Sequence, residues 1–212
     1  MNLPTKITVS RIIATVLLII ALFVMSLIDF EAPVLGNTRI NLVFLIIFVF
    51  FVIASYTDHL DGKLARKNNQ VTDLGKFLDP IADKLLVNSM LIFLACTYAF
   101  RYADQQVCFI PVWCVIIMVA RDIVVDAMRF IAAQKNVVIA ANIFGKLKTV
   151  LQMVAISAVL LNDFPFHYMY PDNHNPYLNV TAFLVYAATL VSAISGIIYV
   201  VQNKKVLKEN KE

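Results

Sequence analysis

The 212-residue sequence is short of charge, glycine and cysteine, and each shortage excludes a class of protein. Only 15% of its residues are charged, whereas a soluble domain carries about 25%. Five glycines and three cysteines exclude collagen-like chains and disulfide scaffolds. Apolar side chains make up 60% of the sequence, which excludes a disordered chain as well. The balance predicts an all-α membrane protein.

Six stretches without charged residues follow one another along the chain, at residues 12–28, 40–57, 85–100, 105–120, 149–162 and 173–203. Backbone polar groups in lipid must be satisfied within each segment, so these stretches are expected to be helices. Short links between them favour antiparallel neighbours. The first stretch is longer than a typical signal-peptide core and no A-x-A site follows it, so it is expected to be retained. We therefore expect one domain, residues 1–212, folded as a six-transmembrane-helix bundle.

Positive charge is distributed unevenly between the two sides of this bundle. Of the 18 Lys and Arg residues, only Arg39 and Arg101 fall in the links on one side. The other side carries the remainder, together with both ends of the chain. Cytoplasmic loops of membrane proteins are enriched in Lys and Arg, so both termini are predicted to be cytoplasmic and the number of spans even.

The third, fourth and fifth stretches are too short to cross a bilayer. They contain 16, 16 and 14 residues, while about 20 are needed to span about 30 Å of hydrocarbon. Each helix is therefore expected to continue into charged sequence at its cytoplasmic end. Lysines there could simply extend to the headgroups, but short aspartate side chains cannot reach far. The pattern predicts a polar active-site cavity on the cytoplasmic side, since intramembrane charges normally face water.

Four aspartates on the second and third predicted helices are the strongest candidates for chemistry. Asp58 and Asp61 are three residues apart, and Asp79 and Asp83 are four apart, so each pair shares a helix face. Four close carboxylates repel one another unless cations compensate them, and oxygen ligands of this kind suit Mg²⁺ or Mn²⁺. Two such ions can stabilise a phosphoryl centre, although a cation transporter is an alternative interpretation.

Small residues accompany the aspartates. Ala65 and Gly75 are expected to allow close helix packing, and Gly62 close approach of a ligand. Together with Arg66, they favour phosphate chemistry over cation transport. Intramembrane transport sites are also expected near the middle of the bilayer, whereas these residues lie at one end of their helices.

The spacing Asp58-x2-Asp61-Gly62-x2-Ala65-Arg66-x8-Gly75-x3-Asp79-x3-Asp83 resembles in full the signature of the CDP-alcohol phosphatidyltransferases. Three further stretches, NLPTKITVSRI, ARDIVVDAMR and GKLKTVLQM, resemble the bacterial branch that uses sn-glycerol 3-phosphate as the acceptor. One departure is Asp122, where that branch has Glu, which retains the charge. The resemblance implies a bacterial cell-membrane enzyme, and it suggests a homodimer.

The resemblance also implies roles for the motif residues. Asp58, Asp61, Asp79 and Asp83 would hold two divalent cations, Mg²⁺ or Mn²⁺, and Asp83 would also be the general base. The CDP group would contact Asp58, Gly62 and Arg66. The implied reaction joins the phosphatidyl group of CDP-diacylglycerol to sn-glycerol 3-phosphate and releases CMP. Phosphatidylglycerol, inositol phosphate and serine are alternative acceptors within the family.

An acceptor phosphate needs cations of its own. The basic residues near the predicted cavity are candidates, and they are Arg121, Arg129, Lys135, Lys146 and Lys148. Asp122 or Asp126 could instead neutralise the arginines. Thr8 and Arg11 are expected to lie on a short N-terminal interfacial helix that closes the pocket. Arg11 could equally be a positive-inside anchor, a basic residue that holds the helix end at the cytoplasmic side.

Overall fold

The computed structural model describes residues 3–27, 33–36, 38, 40–67, 73–96, 110–135, 137, 143–169 and 178–204. The side chains of residues 58–67 lie outside this description. Within these ranges the protein is helical and contains no strand beyond an isolated bridge between Val34 and Asn41. The six α-helices, with a short 3₁₀ turn at Phe166–Met169 before the last, are α1 (Leu3–Leu27), α2 (Leu42–Lys67), α3 (Asp73–Ala95), α4 (Val112–Gln134), α5 (Ile143–Leu160) and α6 (Val180–Asn203).

Three described helices are long and apolar enough to cross a membrane. They are Thr5–Met25 within α1, the whole of α5 and the whole of α6. The apolar part of α2, Leu42–Thr57, is shorter. Large apolar side chains such as Leu17 and Phe23 are more than half exposed on α1, as expected for surfaces that face lipid. The fold is that of an α-helical membrane protein.

Helices α3, α4 and α5 extend beyond their uncharged stretches, as predicted. They contain 23, 23 and 18 residues. The first turns of α3 and α5 and the second half of α4 consist of sequence that carries charge. This continuation gives α3 and α4 each a length of about 35 Å.

The separate N-terminal interfacial helix is a wrong prediction. Thr8 and Arg11 belong to α1, which is continuous over 25 residues from Leu3 to Leu27. Pro4 lies in the first turn, where proline costs a helix no backbone hydrogen bond, so nothing in the local sequence interrupts the helix. Both side chains are buried, with 2% of Thr8 and 5% of Arg11 exposed.

The apolar core lies in the middle of the bundle. Its largest fully buried side chains include Phe44, Phe51, Met90, Met118 and Ile156, which come from α2 to α5. Helix α6 adds smaller buried side chains such as Val185. Helix α6 packs against α4 and α5, and α1 packs against α3. This arrangement brings the second half of α4 between α3 and α6.

Contacts between side chains place the charged helix ends together. The Thr8 hydroxyl near the start of α1 donates to Asp79 near the start of α3 at 3.0 Å. Lys148 near the start of α5 contacts Asp122 at the middle of α4. Arg129, further along α4, contacts Tyr199 near the end of α6. One end of the bundle is therefore polar.

Candidate active site

A cavity of about 230 Å³ lies at this polar end, between α3, α4 and α5. Among the described residues, five cationic and three anionic side chains line it. Asp83 and Lys84 come from α3, and α5 contributes Lys146 and Lys148. The largest charged contribution is that of α4, namely Arg121, Asp122, Asp126 and Arg129. The described lining is thus rich in positive charge, and it has carboxylates on both α3 and α4.

Four of the five predicted acceptor cations line this cavity. Arg129 and Lys146 are exposed, whereas Lys148 is only 5% exposed. Arg121 and Arg129 are eight residues apart on α4 and face the same space, as their helical spacing predicts. Lys135 is not among the lining residues, because it is the C-cap of α4, about 9 Å along the helix axis from Arg129.

Asp122 is the central counter-ion of the cavity. It is 6% exposed, and its two carboxylate oxygens accept from the Lys148 ammonium at 2.7 and 2.8 Å. One of them also accepts from Arg121 Nη1 at 3.0 Å. Of the two arginines that an aspartate could neutralise, Asp122 therefore pairs with Arg121, and it pairs with Lys148 as well. The second aspartate, Asp126, pairs with Lys84 instead of an arginine.

Arg121 retains a donor that its neighbours do not satisfy. Its Nη2 donates to Ser195 Oγ on α6 at 2.6 Å, but Nε is buried and has no hydrogen-bond partner among the described residues. The amide nitrogen of Gln152, which lines the cavity, is in the same condition. Buried donors are usually hydrogen-bonded, so these two groups are available to acceptor atoms of a substrate. Phosphate and hydroxyl oxygens are acceptors that would satisfy both groups.

Two of the motif aspartates belong to the described side chains. Asp83 lines the cavity, while Asp79, one turn earlier on α3, is exposed and accepts the hydrogen bond from Thr8. Gly75 is buried in the first turn of α3. Among the described residues, no group of three or more His, Cys, Asp or Glu side chains is close enough to hold a metal ion.

The remaining predicted site residues lie on α2. The helix itself extends through residue 67, but the side chains of its motif residues lie outside the described part of the structure: Asp58, Asp61, Gly62, Ala65 and Arg66. Helix α3 begins only six residues after α2 ends. A link of that length spans at most about 21 Å, so the end of α2 lies near the end of the bundle that holds Asp79 and Asp83.

Helix α6 contributes contacts to the site that were not predicted from the sequence. Ser195 contacts Arg121, and the Tyr199 hydroxyl accepts from Arg129 Nε at 3.3 Å. A signal was present, because Ser192, Ser195, Gly196 and Tyr199 follow the i, i+3, i+4, i+7 spacing of one helix face in an otherwise apolar segment. The cavity residue Asn88 was also missed, since a single amide at the start of an apolar stretch has no comparable pattern.

The charged cavity within an α-helical membrane fold agrees with the family comparison. The family model described as CDP-alcohol phosphatidyltransferase matches residues 1–201. The chain therefore belongs to the CDP-alcohol phosphatidyltransferase family, as its motif indicated.

Curated relatives of the chain share one name, CDP-diacylglycerol–glycerol-3-phosphate 3-phosphatidyltransferase. The Bacillus subtilis (strain 168) protein is 36% identical over 207 residues, which cover 98% of this chain and 97% of the relative. The Mycoplasma pneumoniae protein is 35% identical, with 98% and 89% covered. The Rickettsia bellii protein is 34% identical, with 96% of each chain covered.

Proposed function

We propose that the protein transfers the phosphatidyl group of CDP-diacylglycerol to sn-glycerol 3-phosphate, giving phosphatidylglycerophosphate and CMP. The observation that carries the proposal is the joint lining of one cavity by the motif carboxylate Asp83 and by Arg121, Arg129, Lys146 and Lys148. The names of the relatives agree with this reaction.

Electrostatics favour a phosphorylated acceptor. Among the described lining residues, cationic side chains outnumber anionic ones, and Asp122 is already engaged by Arg121 and Lys148. The excess positive charge suits a phosphate monoester better than serine, which has no net charge. The planar guanidinium of an arginine can bind two phosphate oxygens at once, which orients the acceptor as well as attracting it.

The proposed metal site consists of Asp58, Asp61, Asp79 and Asp83. The carboxylates that the structure describes fit this role, because Asp79 and Asp83 are one turn apart on α3 and are not enclosed by apolar side chains. Carboxylate oxygens are the donors that Mg²⁺ and Mn²⁺ prefer. When bound, two such ions would neutralise charge that develops on the phosphoryl group. Asp58, Gly62 and Arg66 are proposed to contact the CDP group.

Asp83 is proposed as the general base. It would accept the proton of the primary hydroxyl of the acceptor as that oxygen attacks the β-phosphorus of CDP-diacylglycerol. CMP would leave with the oxygen that bridged the two phosphorus atoms. The described cavity lining contains no Ser, Cys or His that could form a covalent intermediate, which favours one direct in-line displacement.

Thr8 and Arg11 are proposed to close the pocket from α1. The hydrogen bond from Thr8 to the motif residue Asp79 supports this position. The proposed arrangement has six membrane-crossing helices in one domain, residues 1–212, of a bacterial cell membrane. Both termini would be cytoplasmic and the protein a homodimer, and Lys135 would attract the acceptor from outside the cavity.

The test is an acceptor comparison with the purified protein. CDP-diacylglycerol and Mg²⁺ or Mn²⁺ are supplied with sn-glycerol 3-phosphate, phosphatidylglycerol, inositol phosphate or serine, and the release of CMP is measured. We expect rapid release only with sn-glycerol 3-phosphate, its loss on chelation of the metal, and its recovery when Mg²⁺ or Mn²⁺ is restored. Faster release with another alcohol would refute the acceptor, and release in the presence of the chelator would refute the metal.

A further inference from the structure

Helix α6 contacts both arginines of the cavity although it contributes none of the described lining residues. Its contacts come from one face, on which Ser195, Gly196 and Tyr199 are all buried. Arg121 and Arg129 lie two helical turns apart on α4, and Ser195 and Tyr199 lie one turn apart on α6. On this face of α6, Ser195 contacts Arg121 and Tyr199 contacts Arg129.

Gly196 and Ser195 determine where the Arg121 side chain can lie. A Cβ atom added at Gly196 would be 2.6 Å from Arg121 Cγ and 3.6 Å from its Cβ. These atoms are at the root of the side chain, so a methyl group at position 196 would force the whole arginine to move. The neighbouring Ser195 Oγ accepts from Nη2 at 2.6 Å, while Asp122 accepts from Nη1 at 3.0 Å. The guanidinium is thus held from α6 and from α4 itself.

Tyr199 holds Arg129 in two ways. The phenol oxygen accepts from Nε at 3.3 Å, and the guanidinium carbon lies 5.7 Å from the ring centroid. An arginine at that distance from an aromatic ring is stabilised by a cation–π interaction. Because Arg129 is exposed, these contacts restrict a side chain that would otherwise sample many rotamers.

We propose that Ser195, Gly196 and Tyr199 form an arginine seat, a surface of α6 that positions Arg121 and Arg129 to bind the phosphate of the acceptor. The three are positioning residues and do not touch the substrate. The inference rests on the proposed function. A preorganised cation binds its anion more tightly, because the ordering of the side chain is completed before the substrate arrives.

The test compares two buried serines on the same face of α6. Ser195→Ala removes the hydrogen bond to Arg121, whereas Ser192→Ala removes a hydroxyl that has no hydrogen-bond partner in the described part of the chain. We expect Ser195→Ala to raise the KM for sn-glycerol 3-phosphate about tenfold and to leave the KM for CDP-diacylglycerol unchanged. Ser192→Ala should leave both constants unchanged.

Gly196→Ala provides a second, stronger perturbation. It should raise the same KM by at least about tenfold in the unaltered protein, but by less than about twofold in an Arg121→Ala background, where the clashing side chain is absent. A role in helix packing alone would affect both backgrounds equally and would change the KM of both substrates. Tyr199→Phe, which keeps the ring, should raise the acceptor KM less than Tyr199→Leu.

The results of these experiments distinguish a failure of the arginine seat from a failure of the proposed function. If the unaltered protein turns over sn-glycerol 3-phosphate and Ser195→Ala matches Ser192→Ala in every constant, the arginine seat is wrong while the proposed function stands. Equal effects of Gly196→Ala in the two backgrounds would also overturn the seat. If the unaltered protein releases no CMP with this acceptor, the proposed function fails and the inference falls with it.

Discussion

At the scale of single residues, the charge balance of the cavity depends on Asp122. Its carboxylate is buried and accepts hydrogen bonds from two cations, Lys148 and Arg121. Lys148 is also buried, so neither partner of this pair is well solvated. Removing one member of a buried ion pair leaves an uncompensated charge, which costs far more than the loss of an exposed pair.

We therefore expect Asp122→Ala to lower the free energy of unfolding by about 3 kcal/mol. The matched control is Asp126→Ala, since the Lys84–Asp126 pair is 31% and 38% exposed and should contribute about 1 kcal/mol at most. Thermal unfolding of the two variants in detergent measures the difference. Equal shifts of the unfolding midpoint would contradict the central role of Asp122.

The sequence identifies charged residues that line the cavity, but it does not determine how they pair. The spacing of Arg121 and Arg129 indicates that they face one space, because helix periodicity is a local property. Asp122 pairs with Lys148 and Asp126 pairs with Lys84. These pairings depend on how α3, α4 and α5 are rotated and shifted against one another. The contacts of Ser195 and Tyr199 depend on the same long-range geometry.

At the scale of helices, the first turn of α6 shows how side chains define an element boundary. Asn179 is the N-cap, and its side chain accepts from the backbone N–H of Ala182 at 2.6 Å. Asp163, from the preceding segment, accepts from both the backbone N–H and the hydroxyl of Thr181, at 2.9 and 2.6 Å. The two side chains satisfy N–H groups that a helix leaves free at its start.

Asp163→Ala should destabilise the protein by about 2 kcal/mol, because it leaves two donors of the buried Thr181 without a partner. Asn179→Ala should cost about 1 kcal/mol, the usual value of an N-cap. Asp163→Asn is the control, since it keeps an acceptor oxygen and tolerates the positive φ of 61° at this position. Thermal unfolding midpoints should follow this order, and a loss for Asp163→Asn as large as that for Asp163→Ala would contradict the capping role.

Helix extents were predictable in part for a physical reason. A bilayer sets a minimum helix length. The short apolar stretch before Arg121 and the one after Lys148 therefore had to continue into polar sequence. The expectation of a separate helix at Thr8 and Arg11 failed, because α1 is continuous from Leu3 to Leu27. Within α1 these polar side chains are buried against the bundle instead.

At the scale of the whole molecule, the polar end of the bundle and the distribution of Lys and Arg lead to one orientation. The contact from Thr8 to Asp79 and that from Arg129 to Tyr199 bring the start of α1 and the end of α6 to this end. The positive-inside tendency then predicts that both lie on the cytoplasmic side. The link that contains Thr38 would lie on the opposite side.

Labelling of single cysteines tests this orientation. In a protein with Cys96, Cys108 and Cys114 replaced, Thr38→Cys should react with a membrane-impermeant maleimide in intact cells. Lys6→Cys and Lys204→Cys should react only after the membrane is permeabilised. Labelling of Lys6→Cys and Lys204→Cys from opposite sides would contradict an even number of membrane crossings.

We infer that the cavity is the place where a lipid phosphatidyl group is transferred to a soluble phosphorylated alcohol. Its most direct test supplies the purified protein with CDP-diacylglycerol, sn-glycerol 3-phosphate and Mg²⁺, and quantifies the lipid product by mass spectrometry together with CMP. We expect phosphatidylglycerophosphate and CMP in equal amounts, and neither product with Asp83→Asn. CMP without phosphatidylglycerophosphate, or unchanged turnover by Asp83→Asn, would contradict the account.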